Sequence, residues 1–383
     1  MFITHLRLKN WRNFREADVC FGRTSYIIGP NASGKSNLLD LLRFLREICK
    51  PDGGGLQRAI KVRGGIPKLR CLHHRRDTEV KIEVTLKESF DTDECWRYIL
   101  AFKAEGKGAQ RPIITSEEVW HENVPLLRRP DANDQSDSLL LTETHLEQTL
   151  ANRRFREVVD AFSDITYLHL VPQLLKFSEN IGGNRIEDDP FGQGFLEKLA
   201  RSTNQTRDAR LKRIELALSI AVPQFAELRF MKDEMGHPHL EARYKHHRPK
   251  AGWQREEHFS DGTLRLLALL WSLQDGNGML MLEEPELSLH EGVVEQIPGM
   301  LDRIQRSKRY KRQILISTHS EAMLKNQGIN PDSIIVLEPG KEGTVIRTVN
   351  ESERLGLDAG LTVADIVLPQ TRPKGIEQLG LWE

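Results

Sequence analysis

The chain has 383 residues, 39% of them hydrophobic and 29% charged, enough for one large α/β domain with an insertion or for two to three ordinary domains. Lys plus Arg and Asp plus Glu both total 55, so the formal net charge is zero; no global basic field points to nucleic acid, and any such contact must be a local patch. No apolar run approaches the roughly 20 residues of a membrane span, and Cys20, Cys49, Cys71 and Cys95 lack C-x-x-C spacing, which fits a reducing cytoplasm better than a disulfide framework.

Phe2, Thr4 and Leu6 alternate with Ile3, His5 and Arg7 as in a half-buried strand, without a signal-peptide profile; residues 17–22 and 25–28 read as two more strands. Gly29-Pro30-Asn31-Ala32-Ser33-Gly34-Lys35-Ser36 follows, and then Leu38, Leu39, Leu41, Leu42, Leu45 and Ile48 recur at helical spacing to about Cys49. This is G-x-x-x-x-G-K-S between a strand and a helix, the context a phosphate-binding loop requires. Gly29 and Gly34 let the backbone aim successive N–H groups at phosphate oxygens, and the helix N-terminus adds positive potential. Lys35 then reaches the β- and γ-phosphates and Ser36 ligates Mg2+.

Residues 56–76 are basic and interrupted by Arg63-Gly64-Gly65 and Pro67. Cys71-Leu72-His73-His74 has the spacing of half a metal site; with no second half in view, a basic surface loop is the preferred reading. Strict alternation over 79–86 predicts a strand, with 96–103 and 113–120 continuing an antiparallel meander. A polar loop is expected over 128–140, helix over 144–162, a strand at 166–171 and a mobile loop at 176–194. Residues 195–221 read as helical with a break near 202–207, and 225–230 pairs with 239–244.

Gly278-Met279-Leu280-Met281-Leu282-Glu283-Glu284-Pro285 is an apolar run ending in two carboxylates, the signature of a buried parallel strand. Ligands bind beyond the carboxyl ends of such strands, which puts Glu283 and Glu284 beside the phosphate loop, one for Mg2+ and the other to orient or deprotonate the attacking water. A second run, Gln313 to Ser320, delivers Thr318 and His319 in the same way. Ser260 caps a further helix, and Ser260-Asp261-Gly262-Thr263 forms another anion site. One γ-phosphate does not need two such helix N-termini unless the second acts from a neighbouring subunit.

In this order the motifs resemble ABC-type ATPase heads of the branch containing SMC, RecF and OLD proteins, most of all the compact bacterial AAA-family ATPases related to OLD. Asn10-Trp11-Arg12-Asn13-Phe14 looks like the branch's N-terminal turn, and Gly29 to Asn37 like its Walker A. Ser260-Asp261-Gly262-Thr263 looks like the signature loop, with Asp261 where many ABC proteins carry Gly. Glu283-Glu284-Pro285-Glu286 with Leu289-His290 looks like Walker B and the D-loop, and Ser317 to Ser320 like the switch-histidine segment. Two departures stand out. Glu283 replaces the commoner Asp, and the Q-loop glutamine is assigned only by position, to Gln173.

The fold this implies is an α/β P-loop NTPase with an ABC-head-like mixed sheet flanked by helices, an antiparallel β-meander and a helical insertion. Residues 1–175 would form the N-terminal part of the head, 176–250 an insertion lobe and 251–383 the C-terminal part. The resemblance further implies a head-to-tail dimer, or a higher oligomer of dimers, around two ATP molecules. In it Gly29, Pro30, Asn31, Ala32, Ser33, Gly34, Lys35, Ser36 and Asn37 hold ATP, and Ser260, Asp261 and Gly262 meet it from the other subunit. Ser36, Glu283 and Gln173 are assigned to Mg2+, Glu284 to the catalytic base, His319 to γ-phosphate sensing. OLD enzymes carry a TOPRIM nuclease, and the residues after Ser320 show no acid cluster of that kind; Asp358 and Asp365 are isolated. The expectation is therefore a cytoplasmic ATPase sensor or scaffold for a separately encoded effector, such as a TOPRIM-like nuclease, in anti-phage defence. The alternative is a RecF-like ATPase acting directly on DNA, through Arg303, Arg306, Lys308, Arg309, Lys311 and Arg312 or through His246, His247, Arg248 and Lys250. A transporter-coupled subunit fits less well, since the insertion offers no coupling surface.

Overall fold

The computed structural model describes residues 1–50, 53–73, 77–106, 110–177, 189–245, 252–306 and 312–371. Apolar–polar alternation builds its first sheet, six antiparallel strands in the order β2 (Phe14–Cys20), β1 (Phe2–Trp11), β4 (Val80–Lys87), β5 (Cys95–Ala104), β6 (Pro112–His121) and β7 (Val124–Arg129). In β4 the alternation is kept throughout, with Val80, Ile82, Val84 and Leu86 buried. In β1 it is not. A register shift between Ile3 and His5 turns Ile3, Leu6 and Leu8 inward, where simple alternation would have grouped Phe2 and Thr4 with Leu6.

The stretch 128–140 is not a plain loop. Arg128 and Arg129 end β7, a short helix covers Ala132–Ser136, and a 3-10 turn covers Ser138–Thr142. Arg129 organises it: the guanidinium donates to Glu117 Oε2 at 2.9 Å, to Asp134 Oδ1 at 2.7 Å, and to the carbonyls of Leu140 at 2.7 Å and Glu143 at 2.8 Å. Helix over 144–162 is also shorter than expected, beginning with a 3-10 turn at Ala151–Phe155 and continuing as Arg156–Ser163. Cys71 does not lie at the surface: its side chain is buried and its amide donates to Asn10 Oδ1 at 2.9 Å.

Unbroken apolar runs, buried on both faces, build the second sheet. Its order is β15 (Gly343–Arg347), β14 (Ile334–Gly340), β3 (Thr24–Ile28), β13 (Ile314–Thr318), β12 (Leu280–Glu283) and β8 (Thr166–Leu168), all parallel except β15. Ile28 pairs with Thr318, Ser317 with Glu283, and Leu282 with Leu168, so the carboxyl ends of β3, β13, β12 and β8 finish along one edge. The long helix α1 (Lys35–Ile48) buries Leu38, Leu42, Phe44 and Leu45 in one core shared by the first sheet and by Met281 and Leu315 of the second. Each such side chain contributes roughly 1.5–3 kcal/mol of burial, which fixes the start of α1 against both sheets.

On the other side, α2 (Asn204–Ala221) and α3 (Asp261–Gln274) pack together with a small antiparallel sheet of β9 (Phe225–Lys232), β10 (Pro238–Tyr244) and β11 (Gln254–Arg255). Residues 178–188, most of the expected loop at 176–194, lie outside the described residues, as do His74, His246, His247, Arg248, Lys250, Lys308, Arg309 and Lys311.

Candidate nucleotide site

The phosphate loop leaves β3 at Ile28, whose neighbours on both sides are fixed by β13 and β14. Gly29 has no room for a side chain, because a Cβ would fall 2.7 Å from the Leu337 carbonyl oxygen. Gly34 has φ +101°, a left-handed conformation that strains other residues, and a Cβ there would sit 2.1 Å from Asn13 Nδ2. That asparagine clamps the loop. Its amide donates to Ser33 O at 2.9 Å and to Thr344 Oγ1 at 2.6 Å, and its oxygen accepts from Asn37 Nδ2 at 2.7 Å. Thr344 Oγ1 also donates to Ser33 O at 2.8 Å, and Trp11 Nε1 donates to Asn37 O at 3.1 Å. The loop is thus held between the β1–β2 turn and the β14–β15 hairpin.

Lys35 opens α1 and is buried, its ammonium resting 2.7 Å from Gly29 O and 3.2 Å from Pro30 O. Burial lowers its pKa, against the opposing pull of Glu284, Glu283 and Glu286. Ser36 is one residue on, and its hydroxyl donates to Glu283 Oε1. The other Glu283 oxygen accepts from the Tyr167 hydroxyl of β8, and the Glu283 carbonyl lies 3.2 Å from His169 Nδ1.

The chain then turns sharply. Glu284 has φ +45° and donates its amide to Ser317 O at 3.0 Å; its carboxylate Oε1 lies 3.1 Å from His319 Nδ1. Glu286 takes a third direction. It is buried, accepts from Thr318 Oγ1 at 2.5 Å and from the His319 amide at 3.4 Å, and its second oxygen has no hydrogen-bond partner among the described residues. Burial pushes its pKa up, against the hydrogen bond from Thr318.

Ser260 caps α3, accepting from the Thr263 amide at 3.1 Å. Gly262 lies so close to the turn after β12 that a Cβ would meet Ser288 O at 2.5 Å. Asp261 accepts from Lys176 at 2.7 Å and from Gln173 Nε2 at 2.8 Å. The Lys176 ammonium holds the Asp261 carboxyl below the usual carboxylate range. Gln173 therefore has a partner other than Ser36 or Glu283. Of the expected residues, the structure joins Ser36 with Glu283 and Glu284 with His319, while Asp261 joins Gln173 at the start of α3. Asn13, Tyr167, His169 and Glu286 were not singled out from sequence. Asn13 and Glu286 lay inside quoted motifs, and Tyr167 and His169 on a recognised strand, but no spacing rule marked them.

Ser36 and Glu283 offer a hydroxyl and a carboxylate, the hard oxygen donors Mg2+ takes alongside water and phosphate. Among the described residues no group of three or more His, Cys, Asp and Glu side chains forms a metal cluster. None of their helices is long and apolar enough to cross a membrane.

Residues 25–324 match the family described as "AAA domain, putative AbiEii toxin, Type IV TA system". The DNA replication and repair protein RecF of Roseiflexus castenholzii is 30% identical over 95 residues, 23% of this chain and 24% of that protein. The RecF of Chlamydia caviae is 52% identical over 46 residues, 12% of each chain. These matches span a quarter or less of the relatives' own length. Among solved structures, an SmcHead bound to the C-winged helix domain of ScpA superposes with a TM-score of 0.56 at 14% identity, over 92% of this chain and 100% of that one. An Smc head domain with an extended coiled coil, bound to the C-terminal domain of ScpA derived from Pyrococcus furiosus, gives 0.51 at 13% identity, over 94% and 98%. At these identities the likeness is one of fold: a P-loop ATPase head.

Proposed function

The chain belongs to this AAA-domain ATPase family, and we propose that it closes as a head-to-tail dimer around ATP and Mg2+ and by closing and reopening regulates a separate effector protein. The observation that carries the reading is the joining of Ser36 to Glu283 and of Glu284 to His319 at the ends of adjacent parallel strands, beside a buried lysine. When bound, Mg·ATP supplies the γ-phosphoryl group and the cation that offsets its charge. Ser36 and Glu283 would hold that cation, and Lys35, which rests on the Gly29 and Pro30 carbonyls, would bind the phosphates. Glu284 accepts the proton of the attacking water, while His319 orients Glu284 and reads the γ-phosphate. The Ser260-capped start of α3, with Gly262 against Ser288, serves the ATP of the other subunit.

An effector role is supported by the ScpA-bound Smc heads, whose fold this chain shares. A place in defence is supported by the toxin and Type IV TA system of the family description. A TOPRIM-like nuclease as the effector is the expectation carried by the OLD resemblance alone. The test is Glu284→Gln. It should bind ATP, accumulate as dimer in size-exclusion chromatography with light scattering, and turn over on the order of 10²–10⁴-fold more slowly. Hydrolysis at the wild-type rate would remove Glu284 as the base.

The RecF matches favour a second reading, direct action on DNA. The structure narrows its basic patch: Arg312 is buried and donates to the carbonyls of Gly278 and Ser272, and Arg306 pairs with Asp302 at 2.9 Å. Salt-dependent binding to duplex or single-stranded DNA, stronger with ATP, would favour this reading.

A further inference from the structure

The carboxylate that meets Ser36 belongs to a glutamate, one methylene longer than the aspartate commoner at this place. The extra rotatable bond lets its head sample more positions, and that rotamer freedom is lost when the side chain is ordered. A metal ligand needs the opposite, a carboxylate held in one orientation by its own neighbours. Glu283 has such neighbours. One oxygen accepts from Ser36 and the other from the Tyr167 hydroxyl. Tyr167 is itself held twice. Its backbone is in register with Met281 through the β8–β12 pairing, and its ring lies under the Arg43 guanidinium at 4.6 Å from the ring centre. Arg43 projects from α1, two turns beyond Ser36, so the phosphate-loop helix reaches the Glu283 carboxylate through Ser36 and the edge-strand tyrosine through Arg43.

We propose that Tyr167 is a positioning residue that fixes the longer Glu283 side chain for Mg2+, with Arg43 fixing Tyr167. This rests on the assignment of Ser36 and Glu283 to the Mg2+ of Mg·ATP. Its specific content is that the tyrosine compensates for glutamate in place of aspartate. Shortening the acid should therefore abolish the need for the hydroxyl.

The experiment is a double-mutant cycle on the full chain: wild type, Tyr167→Phe, Glu283→Asp and the pair. A fluorescent ATP analogue is titrated with Mg2+ from micromolar to tens of millimolar, and the Mg2+ midpoint of its binding is read. Binding of the analogue without Mg2+ and thermal unfolding without nucleotide are run as controls. Phenylalanine keeps the ring and the Arg43 stack, so the variant should fold as wild type. Tyr167→Phe should raise the Mg2+ midpoint about tenfold, the lower end of what losing such an outer partner costs, with metal-free binding unchanged. In the Glu283→Asp background the same substitution should shift the midpoint less than about twofold, because the shorter acid does not reach the hydroxyl. An unchanged midpoint in Tyr167→Phe overturns the proposal. So does an equal shift in both backgrounds, which would assign the tyrosine to the fold of the edge strand rather than to Glu283. A wild-type protein whose nucleotide binding ignores Mg2+ overturns the metal assignment beneath it, and that result is distinct from the other two.

Discussion

Replacing Asn13 by alanine removes an amide that touches the phosphate loop, its helix and the β14–β15 hairpin at one point each. Donation to Ser33 O and to Thr344 Oγ1 is lost, and Asn37 Nδ2 loses its acceptor. Ser33 O keeps the hydrogen bond from Thr344, so one of the three losses is partly covered. At roughly 0.5–1.5 kcal/mol net per hydrogen bond, Asn13→Ala should cost about 2–3 kcal/mol. Urea unfolding without nucleotide reads the part borne by the fold. Titration with a fluorescent nucleotide reads the part borne by loop order, each 1.4 kcal/mol being about tenfold in affinity. The same substitution opens space beside Gly34, whose added Cβ would otherwise lie 2.1 Å from the Asn13 amide. Gly34→Ala should thus be less costly in the Asn13→Ala background than alone, although the left-handed φ still costs about 1–2 kcal/mol in both. If Asn13→Ala stays within about 0.5 kcal/mol of wild type and binds nucleotide equally well, the clamp is not what orders the loop.

Arg129→Ala leaves Glu117 and Asp134 buried without their cation, with side-chain exposures of 0% and 2%, and should cost about 3–5 kcal/mol in denaturant unfolding. Lys176→Met should remove a stabilising pair with a defined pH window. The Asp261 pKa is depressed from 3.8 in the folded chain, so the pair's contribution is complete above that value and is lost as pH falls through the lower folded value. The stability gap between wild type and Lys176→Met, followed by unfolding between pH 2 and 7, should be steady above pH 5 and close at the acid end.

Motif and period carried the sequence reading as far as local structure reaches. The apolar runs at 280–283 and 314–318 read as buried parallel strands and are that, and the glycine-bounded loop between strand and helix marks residues 29–36. What was missed depends on partners far away in the chain. Tyr167 matters because β8 lies beside β12, Asn13 because the β14–β15 hairpin returns Thr344 to the phosphate loop, and Arg129 because β6 brings Glu117 beneath it. The break in the alternation of β1 is hidden for a related reason: a bulge is decided by pairing with β4, and alternation within one strand does not show it. Position after the meander is all that marks Gln173 in the sequence. The structure gives it Asp261, a contact that exists only because α3 begins beside the 172–176 helix.

The turn after β12 also explains why three glutamates so close in sequence need not share one chemistry. Strand geometry would send alternate side chains to opposite faces, but Glu284 is left-handed, a conformation that costs a non-glycine residue roughly 1–3 kcal/mol. Its amide bond to Ser317 O helps to hold that conformation from the neighbouring strand. The consequence is separation by environment. Glu283 accepts from two hydroxyls, Glu284 meets an imidazole, and Glu286 is buried against Thr318 with its pKa raised. Three neighbouring carboxylates are thus given different surroundings by a single backbone turn. Sequence shows the three acids, and only the left-handed residue between them explains how they part.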